Sequence, residues 1–561
     1  MPASTELTAN ATQAVGRTSA TDRDPNTSDK FTFWLPDGVI VNPFDIVEVN
    51  QVNQPGEPPS ETYGLVTILE HRTDAPSHLA NFISNNFGEL AEEPNTPRQG
   101  TTVAFVNVLS NDAVIYTPVS SERLVRFAAP EGIERALGID QMHPGDRIPA
   151  GLIKMSNGAS TVAYIDRRYI LGPESAHVNI SGISGLATKT SYAMFLLQAI
   201  LQRASDRDKI AVIILNVKHG DLLQIDQKPA TPLPPEQMAR WEALGLEAKP
   251  FTDVHYFLPR GPKGMPNSFL EPNRYTLFAY DLDCTADKLD LLFTNVSDPT
   301  NTMESIIGDI MQGLEGRGDA AFRDVHSWQN LLYRPPLFDP ADRKSKNFGD
   351  NRAASVGKFR RHLRRLVETR QTGIFVESRA HHEKVLKELI TNIKGGHTYV
   401  VDIAKLRDEE QALVFGDLMR TAYALKAEAV EDRTESSPPP EKIIVFVDEL
   451  NKYAPRGSAE SPITHQVLDI AERGRSLGVI LISAQQFMSA VHDRVTGNSA
   501  TKILGRTGSA EVMQPDYRFL DNELKMNLTR LAKGELLINH AVYRQPVKVV
   551  FPLPAYRQDQ S

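Results

Sequence analysis

Cysteine is almost missing from this 561-residue chain: Cys284 stands alone, so neither a disulfide framework nor a cysteine zinc cluster can form within one copy. A reducing cytoplasm is the expected compartment. Apolar runs long enough to cross a bilayer are missing too, and the chain is expected to have no membrane partner. The opening residues, rich in Ala, Thr, Ser and Asn, lack the apolar stretch of a signal peptide or anchor, and residues 1–29 read as a disordered tail. Positive charge is not in excess, with 61 Lys and Arg against 70 Asp and Glu for a formal net charge of -9. That excludes a generally basic nucleic-acid-coating protein, but not a ring whose few basic residues line a channel. His143, His219 and the pair His381 and His382 show no ligand spacing for a transition metal, and no Ser/His/Asp or Cys/His nucleophile pattern or solenoid repeat is apparent.

Two segments far apart in the chain carry the chemistry. The first, Val178 to Ser191, runs from a short β-like stretch through Gly182, Ser184, Gly185, Ala187 and Thr188 to Lys189, Thr190 and Ser191, and enters an apolar helix from Tyr192 to Leu201. The second is Ile443 to Val447, an apolar strand of the kind buried on both faces of a parallel sheet, which ends in Asp448 and Glu449. A triphosphate needs backbone N–H groups at a helix N-terminus, a lysine charge and a hydroxyl for Mg²⁺, and Lys189 and Thr190 supply the last two. A carboxylate at the end of a neighbouring strand holds the metal's water shell and an adjacent acid polarises the attacking water, roles that fit Asp448 and Glu449. The loop departs from the standard G-x-x-x-x-G-K-[ST]: Gly182 lies one residue too far from Lys189, and Thr188 replaces the glycine that normally precedes the lysine.

The length implies two or three domains. Residues 30–128 show short apolar runs broken by Pro, Gly and Asn, which predicts a small β-barrel. Residues 129–224 and 396–561 alternate strands and helices, with strands at Ala211 to Leu215, Thr398 to Ile403, Ile443 to Val447 and Val479 to Ser483. This predicts an α/β fold with a RecA-like parallel core. Residues 225–395 read as a partly helical insertion that interrupts the sheet, with helical stretches at Thr285 to Leu292 and Glu304 to Leu314.

Gln485 follows the last of these strands, where a glutamine can bond the attacking water and sense γ-phosphate; a surface amide at a strand end is the alternative. Arg473 and Arg475 lie at a helix end, where they could cap the dipole or reach a neighbouring subunit's nucleotide as an arginine finger, with Arg506 a further candidate. The run Lys358 to Arg365 gives a helix with Phe359, Leu363 and Leu366 on one apolar stripe and arginines on the rest, read as a solvated or intersubunit face. Arg260, Lys263, Lys344 and Lys346 are candidate channel contacts in loop-like stretches.

The combination resembles the HerA-like ATPases of the HerA/FtsK class. It does so in His177 ahead of the loop, Lys189-Thr190 within it, the edge from Asn216 to Asp221, Asp448-Glu449 followed by Tyr453-Ala454-Pro455, Arg473-Gly474-Arg475, and a closing hairpin from Lys533 to Val549. The resemblance implies an N-terminal barrel before a motor core, and a homo-oligomeric ring, hexameric in the family, with ATP and Mg²⁺ at subunit interfaces. It implies double-stranded DNA in the centre and a nuclease or sirtuin-type effector protein as partner, including in antiphage defence. Two functions follow: a DNA-translocating ATPase, or a weakly hydrolysing hexameric scaffold that assembles and regulates an effector. Thr188 and the lengthened loop motivate the second.

Overall fold

The computed structural model describes residues 14–51, 59–91, 99–183, 189–294, 296, 298, 300–318, 320–369, 372–427, 434–435, 438–457 and 461–558. Two compact units emerge, Met1–Asp166 with Ile503–Phe551, and Arg167–Lys502 with Pro552–Ser561. In the first, β1 (Ala14–Ser19), β2 (Lys30–Leu35), β3 (Ile46–Gln51), β4 (Ser60–Thr73), β5 (Gly100–Asn111) and β6 (Leu124–Phe127) close a barrel in the order β1-β2-β5-β4-β3-β6. Strand alternation turns Phe31, Phe33 and Leu35 inward from β2, and Val47 and Val49 inward from β3. Where β5 carries an extra residue, Leu109, opposite Tyr63 and Gly64 of β4, a Cβ on Gly64 would stand 2.2 Å from Val106 Cγ1 and 2.9 Å from Phe31 Cε1, so a side chain there would displace the barrel core. A hairpin of β7 (Arg147–Lys154) and β8 (Ser160–Asp166) follows.

The tail expected over residues 1–29 is corrected from Ala14 onward, because Ala14–Ser19 pairs antiparallel with both β2 and β6, while residues 1–13 lie outside the described residues. This strand is held largely by backbone hydrogen bonds, and a polar composition does not reveal those.

The second unit is built on a parallel sheet. Its strands are β9 (Ala176–Ser181), β10 (Ile210–Asn216), β11 (Val254–Pro259), β12 (Thr276–Phe278), and, after a small separate hairpin of β13 (Phe338–Asp339) and β14 (Lys344–Ser345), β15 (Glu383–Lys384), β16 (Thr398–Asp402), β17 (Lys442–Asp448) and β18 (Val479–Gln485). They lie in the order β15-β12-β11-β16-β10-β17-β18-β9, paired in parallel throughout. Every residue of β9, β10, β16 and β18 is buried, as a sheet covered on both faces requires. The helices Lys189–Arg203 and Asp408–Lys426 bury most of their length, and Pro462–Leu477 buries one face through Ile463, Val467, Leu468, Ile470, Ala471 and Gly474. This is the expected RecA-like α/β core.

Residues 225–395 do not simply interrupt that sheet. They add β11, β12 and β15 to it, and pack a helical layer whose Leu289, Ile306, Trp328, Phe359 and Leu363 join the main core. The three strands are only 6, 3 and 2 residues long, so their periodicity is too brief to read. Within the layer the stripe of Phe359, Leu363 and Leu366 is buried as expected, and Phe359 stacks on Phe293 at 4.9 Å. Arg360 is taken up inside the protein: it donates to Leu332 O and Ser345 Oγ and lies 4.0 Å from the Phe338 ring centre. Arg260 likewise is bound, to Glu383 at 2.5 Å and to Gly373 O at 3.1 Å.

The chain leaves the second unit within β19 (Ser499–Leu504), so residues 503–551, expected in the nucleotide core, group with the barrel instead. There β20 (Glu535–Asn539) and β21 (Val547–Val550) form an antiparallel hairpin, and β21 meets β7 at Val550 and Leu152. His540, just past β20, is buried and its Nε2 accepts the Asp166 N–H at 3.0 Å, which requires a neutral ring. Among the described residues no helix is long and apolar enough to cross a membrane.

Replacing Phe359 by Ala should cost about 3–5 kcal/mol through the cavity it opens, whereas Arg361→Ala on the exposed face of the same helix should change stability by no more than ~0.5 kcal/mol; thermal melting with limited proteolysis of 280–366 checks both. Burial lowers the His540 pKa from 6.5 to about 4. The unfolded chain therefore binds more protons between these values, so the stability due to this ring is whole above pH 6.5 and is lost progressively as pH falls towards 4. His540→Gln, whose amide oxygen can still accept from Asp166, should shrink the drop in melting temperature between pH 7 and 4.5.

Candidate nucleotide site

Parallel strands end together, and the order of this sheet sets β18 between the loop strand β9 and the acidic strand β17. The register pairs Gln485 with Ser181 and Asp448 with Ala484, so Ser181, Gln485 and Asp448 reach one carboxyl edge on three adjacent strands. In open α/β sheets that edge is where ligands bind.

Gly182 leaves β9 with φ 151°, a backbone conformation that a side chain would strain. Its carbonyl accepts a hydrogen bond from Lys189 Nζ at 2.9 Å, the residue that opens the Lys189–Arg203 helix. Ser184, Gly185, Ala187 and Thr188 lie outside the described residues. Thr190 and Ser191 stand in the first helical turn, Thr190 partly exposed and Ser191 buried. Lys189 is only 7% exposed, and burial lowers its pKa while the charges of Asp448 and Glu449 work the other way.

Asp448 is equally buried, and burial pushes its carboxyl upward against the pull of Lys218 and Lys189. Its Oδ1 accepts the Glu449 N–H at 3.0 Å. Glu449 takes the left-handed conformation at φ 57° and ψ 48°, which costs a non-glycine residue about 1–2 kcal/mol. The bonds from its N–H to Asp448 and to Ala484 O at 2.7 Å hold it there. After this turn Tyr453 stacks on Phe415 at 4.0 Å and is buried, anchoring the Tyr-Ala-Pro segment to the core.

The acids have a partner that sequence reading placed on the strand edge without a role. Lys218, in the turn after β10, lies 2.7 Å from Glu449 Oε1 and 3.6 Å from Asp448 Oδ2. Burial works against its charge, but the two carboxylates outweigh that and raise its pKa. Lys189, Lys218, Asp448 and Glu449 are thus one electrostatic cluster.

Gln485 is wholly buried rather than a surface amide. Its Nε2 donates to Asn179 Oδ1 at 2.9 Å, and its Oε1 has no hydrogen-bond partner among the described residues. Asn179 donates in turn to Ser483 Oγ at 3.3 Å, so Asn179, Ser483 and Gln485 form a polar ladder on β9 and β18. The only sequence signal for it is the polar interruption of two apolar strands.

Arg473 and Arg475 sit elsewhere. Their helix, Pro462–Leu477, ends just before β18 begins, so both lie towards the amino edge of a sheet whose seven-residue strands span roughly 20 Å. Gly474 between them lets the helix approach the sheet, since a Cβ there would stand 2.4 Å from Val479 O. Arg475 Nη1 donates to Glu174 O at 2.8 Å and lines a cleft of about 500 Å³ with Arg167, Asp206, Lys426 and Lys442. The strand order thus keeps both arginines away from the Lys189 edge of their own chain. Arg506 is exposed in the loop after β19. His177 is buried at φ 70°, with its Nδ1 accepting the Leu481 N–H at 2.9 Å, and burial lowers its pKa to about 4; it fastens β9 to β18 as a neutral ring.

No protein-family model and no curated protein sequence matches the chain. Among solved structures it is similar to the bacterial conjugative coupling protein TrwBdeltaN70 in its unbound monoclinic form, with 11% identity, a TM-score of 0.41, and coverage of 69% of this chain and 88% of that one. The plasmid coupling protein TrwB in complex with the ATP analogue ADPNP gives 10% identity and a TM-score of 0.40 over 69% and 87% of the two chains. The genome packaging NTPase B204 of Sulfolobus turreted icosahedral virus 2, in complex with ATP-gammaS, gives 14% identity and a TM-score of 0.23 over 30% and 72%.

Proposed function

We propose that this chain is an ATPase of the HerA/FtsK class, binding ATP with Mg²⁺ at the carboxyl edge of its parallel sheet and working as a subunit of a ring, a hexamer by the family resemblance, that moves double-stranded DNA. The observation that carries the reading is the convergence of Lys189, Asp448 and Glu449 at the ends of nearby parallel strands, with their charges coupled and largely withdrawn from water. A structural ion cluster would not need a lysine at the first turn of a helix entered from a glycine loop.

The donor set fits a hard divalent cation, because Asp448 is a buried carboxylate and Thr190 offers a hydroxyl on the neighbouring helix turn. Bound there, Mg²⁺ supplies neutralisation of charge on the phosphate oxygens. Lys189 binds the β- and γ-phosphates, and Gly182, Ser184, Gly185, Ala187, Thr188, Thr190 and Ser191 are the further nucleotide-binding residues of this proposal. Glu449 orients the attacking water and accepts its proton as the oxygen bonds to the γ-phosphorus and the bond to the β-phosphate oxygen breaks. Gln485 contributes through its unpartnered Oε1, which can accept from that water. Arg473 and Arg475, set towards the opposite edge, act only from a neighbouring copy, where a planar guanidinium suits a phosphate. The resemblance extends the proposal to a cytoplasmic protein acting with a nuclease or sirtuin-type effector, including in antiphage defence.

Purified protein should hydrolyse ATP faster with double-stranded DNA present. Lys189→Ala should abolish both nucleotide binding and turnover, and Glu449→Gln should lower kcat about 10²–10⁴-fold, the weight of a lost general base, while leaving binding largely intact. Turnover unaffected by Glu449→Gln would refute its assignment. Lys189-dependent binding with slow, DNA-insensitive turnover would replace the motor by the scaffold. A protein that sizes as a monomer at micromolar concentration would overturn the ring.

A further inference from the structure

The two lysines of the acidic cluster are held in opposite ways. Lys189 is buried at a helix start, with its amine donated to Gly182 O. Lys218 belongs to no helix or strand, and its side chain is 49% exposed, while those of Asp448 and Glu449 are 10% and 14% exposed. Its ammonium can therefore leave for water, and the carboxylates cannot. A divalent cation held by Asp448 would compete for the charge that this ammonium now meets. An ammonium 3.6 Å from Oδ2 of the same group repels that cation.

We propose that Lys218 is a positioning residue: an internal cation that holds Glu449 and screens Asp448 until a divalent cation arriving with the nucleotide displaces it, moving the turn 216–221 as it leaves. This rests on the nucleotide-binding reading above and adds a regulator to that site. The turn is built to pass the movement on. Asn216 Nδ2 donates to His219 O and to Asp402 Oδ1, both at 2.8 Å, and Asp402 Oδ2 accepts from Ser268 Oγ at 2.5 Å. His219 holds a left-handed φ of 47°, and its ring lies 5.7 Å from that of Phe269, which is 52% exposed. Release of Lys218 thus reaches the buried Ser268 through Asp402 and its exposed neighbour Phe269 through His219.

The test uses the full chain without nucleotide, with Mn²⁺ binding followed by electron paramagnetic resonance. Lys218→Met keeps the aliphatic stem and removes the charge, and should bind Mn²⁺ about fivefold more tightly than the wild type, as expected for a competing half-exposed ion pair. Lys218→Arg should restore the wild-type affinity. In the wild type, Mn²⁺ should speed amide hydrogen exchange across 217–220, and in Lys218→Met it should not. A fluorescent ATP analogue, with Lys189→Ala as control, separates the two readings. Lys189-dependent analogue binding with Mn²⁺ affinity and exchange indifferent to Lys218 overturns the role of Lys218 and leaves the nucleotide site standing. Analogue binding no better in the wild type than in Lys189→Ala overturns the nucleotide site, and this proposal with it. Should Lys218→Met fail to fold, Lys218→Gln and the wild-type exchange measurement decide, and exchange unmoved by Mn²⁺ rejects the displacement.

Discussion

A lysine amine and two carboxylates are withdrawn from water at one edge of the second unit's sheet, each tolerable there only because the others are present. Lys189 and Asp448 are both 7% exposed, and burial works against the charge on each. Isolated, either would lose its charge or unfold its surroundings. Their mutual field opposes that loss, and Lys218 bridges Glu449 and Asp448. Such a cluster persists only on a frame that cannot relax away from it, which makes the packing beneath it part of the site.

The frame consists of strands buried from end to end. β10, β17 and β18 contribute continuous apolar rows, and helices cover both faces. Polar residues that enter this core bond one another, as in the ladder of Asn179, Ser483 and Gln485 or the set of Asn216, Asp402 and Ser268, while Gln485 Oε1 and Asn216 Oδ1 find no hydrogen-bond partner among the described residues. Both groups sit at strand ends facing the carboxyl edge, where apolar packing gives way to ligand chemistry. The same parallel order directs Arg473 and Arg475 towards the far edge of their own sheet, away from Lys189 and the acids.

Much of the frame was legible in the chain. Five apolar residues before Asp448-Glu449, and similar runs at 211–215 and 479–483, exceed what a solvent-facing strand carries, so their burial in a parallel sheet followed from composition alone. The stripe of Phe359, Leu363 and Leu366 was readable because helical period survives over about two turns. Ala14–Ser19 and the strands 254–259, 276–278 and 383–384 were not, since their pairing rests on backbone groups identical in every residue. Arg260 and Arg360 show the same limit for charge, reading as free cations in sequence and proving to be bound within the fold.

The sequence by itself determined the chemical inventory: a glycine loop ending in Lys189-Thr190, an apolar strand ending in Asp448-Glu449, and an α/β alternation able to bring them together. Those features are local, set by residue type and period over a dozen residues or fewer. Tertiary structure alone decided that β18 lies between β9 and β17, that Arg473 and Arg475 lie away from the Lys189 edge, that residues 503–551 group with the barrel, and that Lys218 sits on both acids. Each of these depends on which strands become neighbours, and that is settled by the burial of whole faces over hundreds of residues, which no short stretch of sequence encodes.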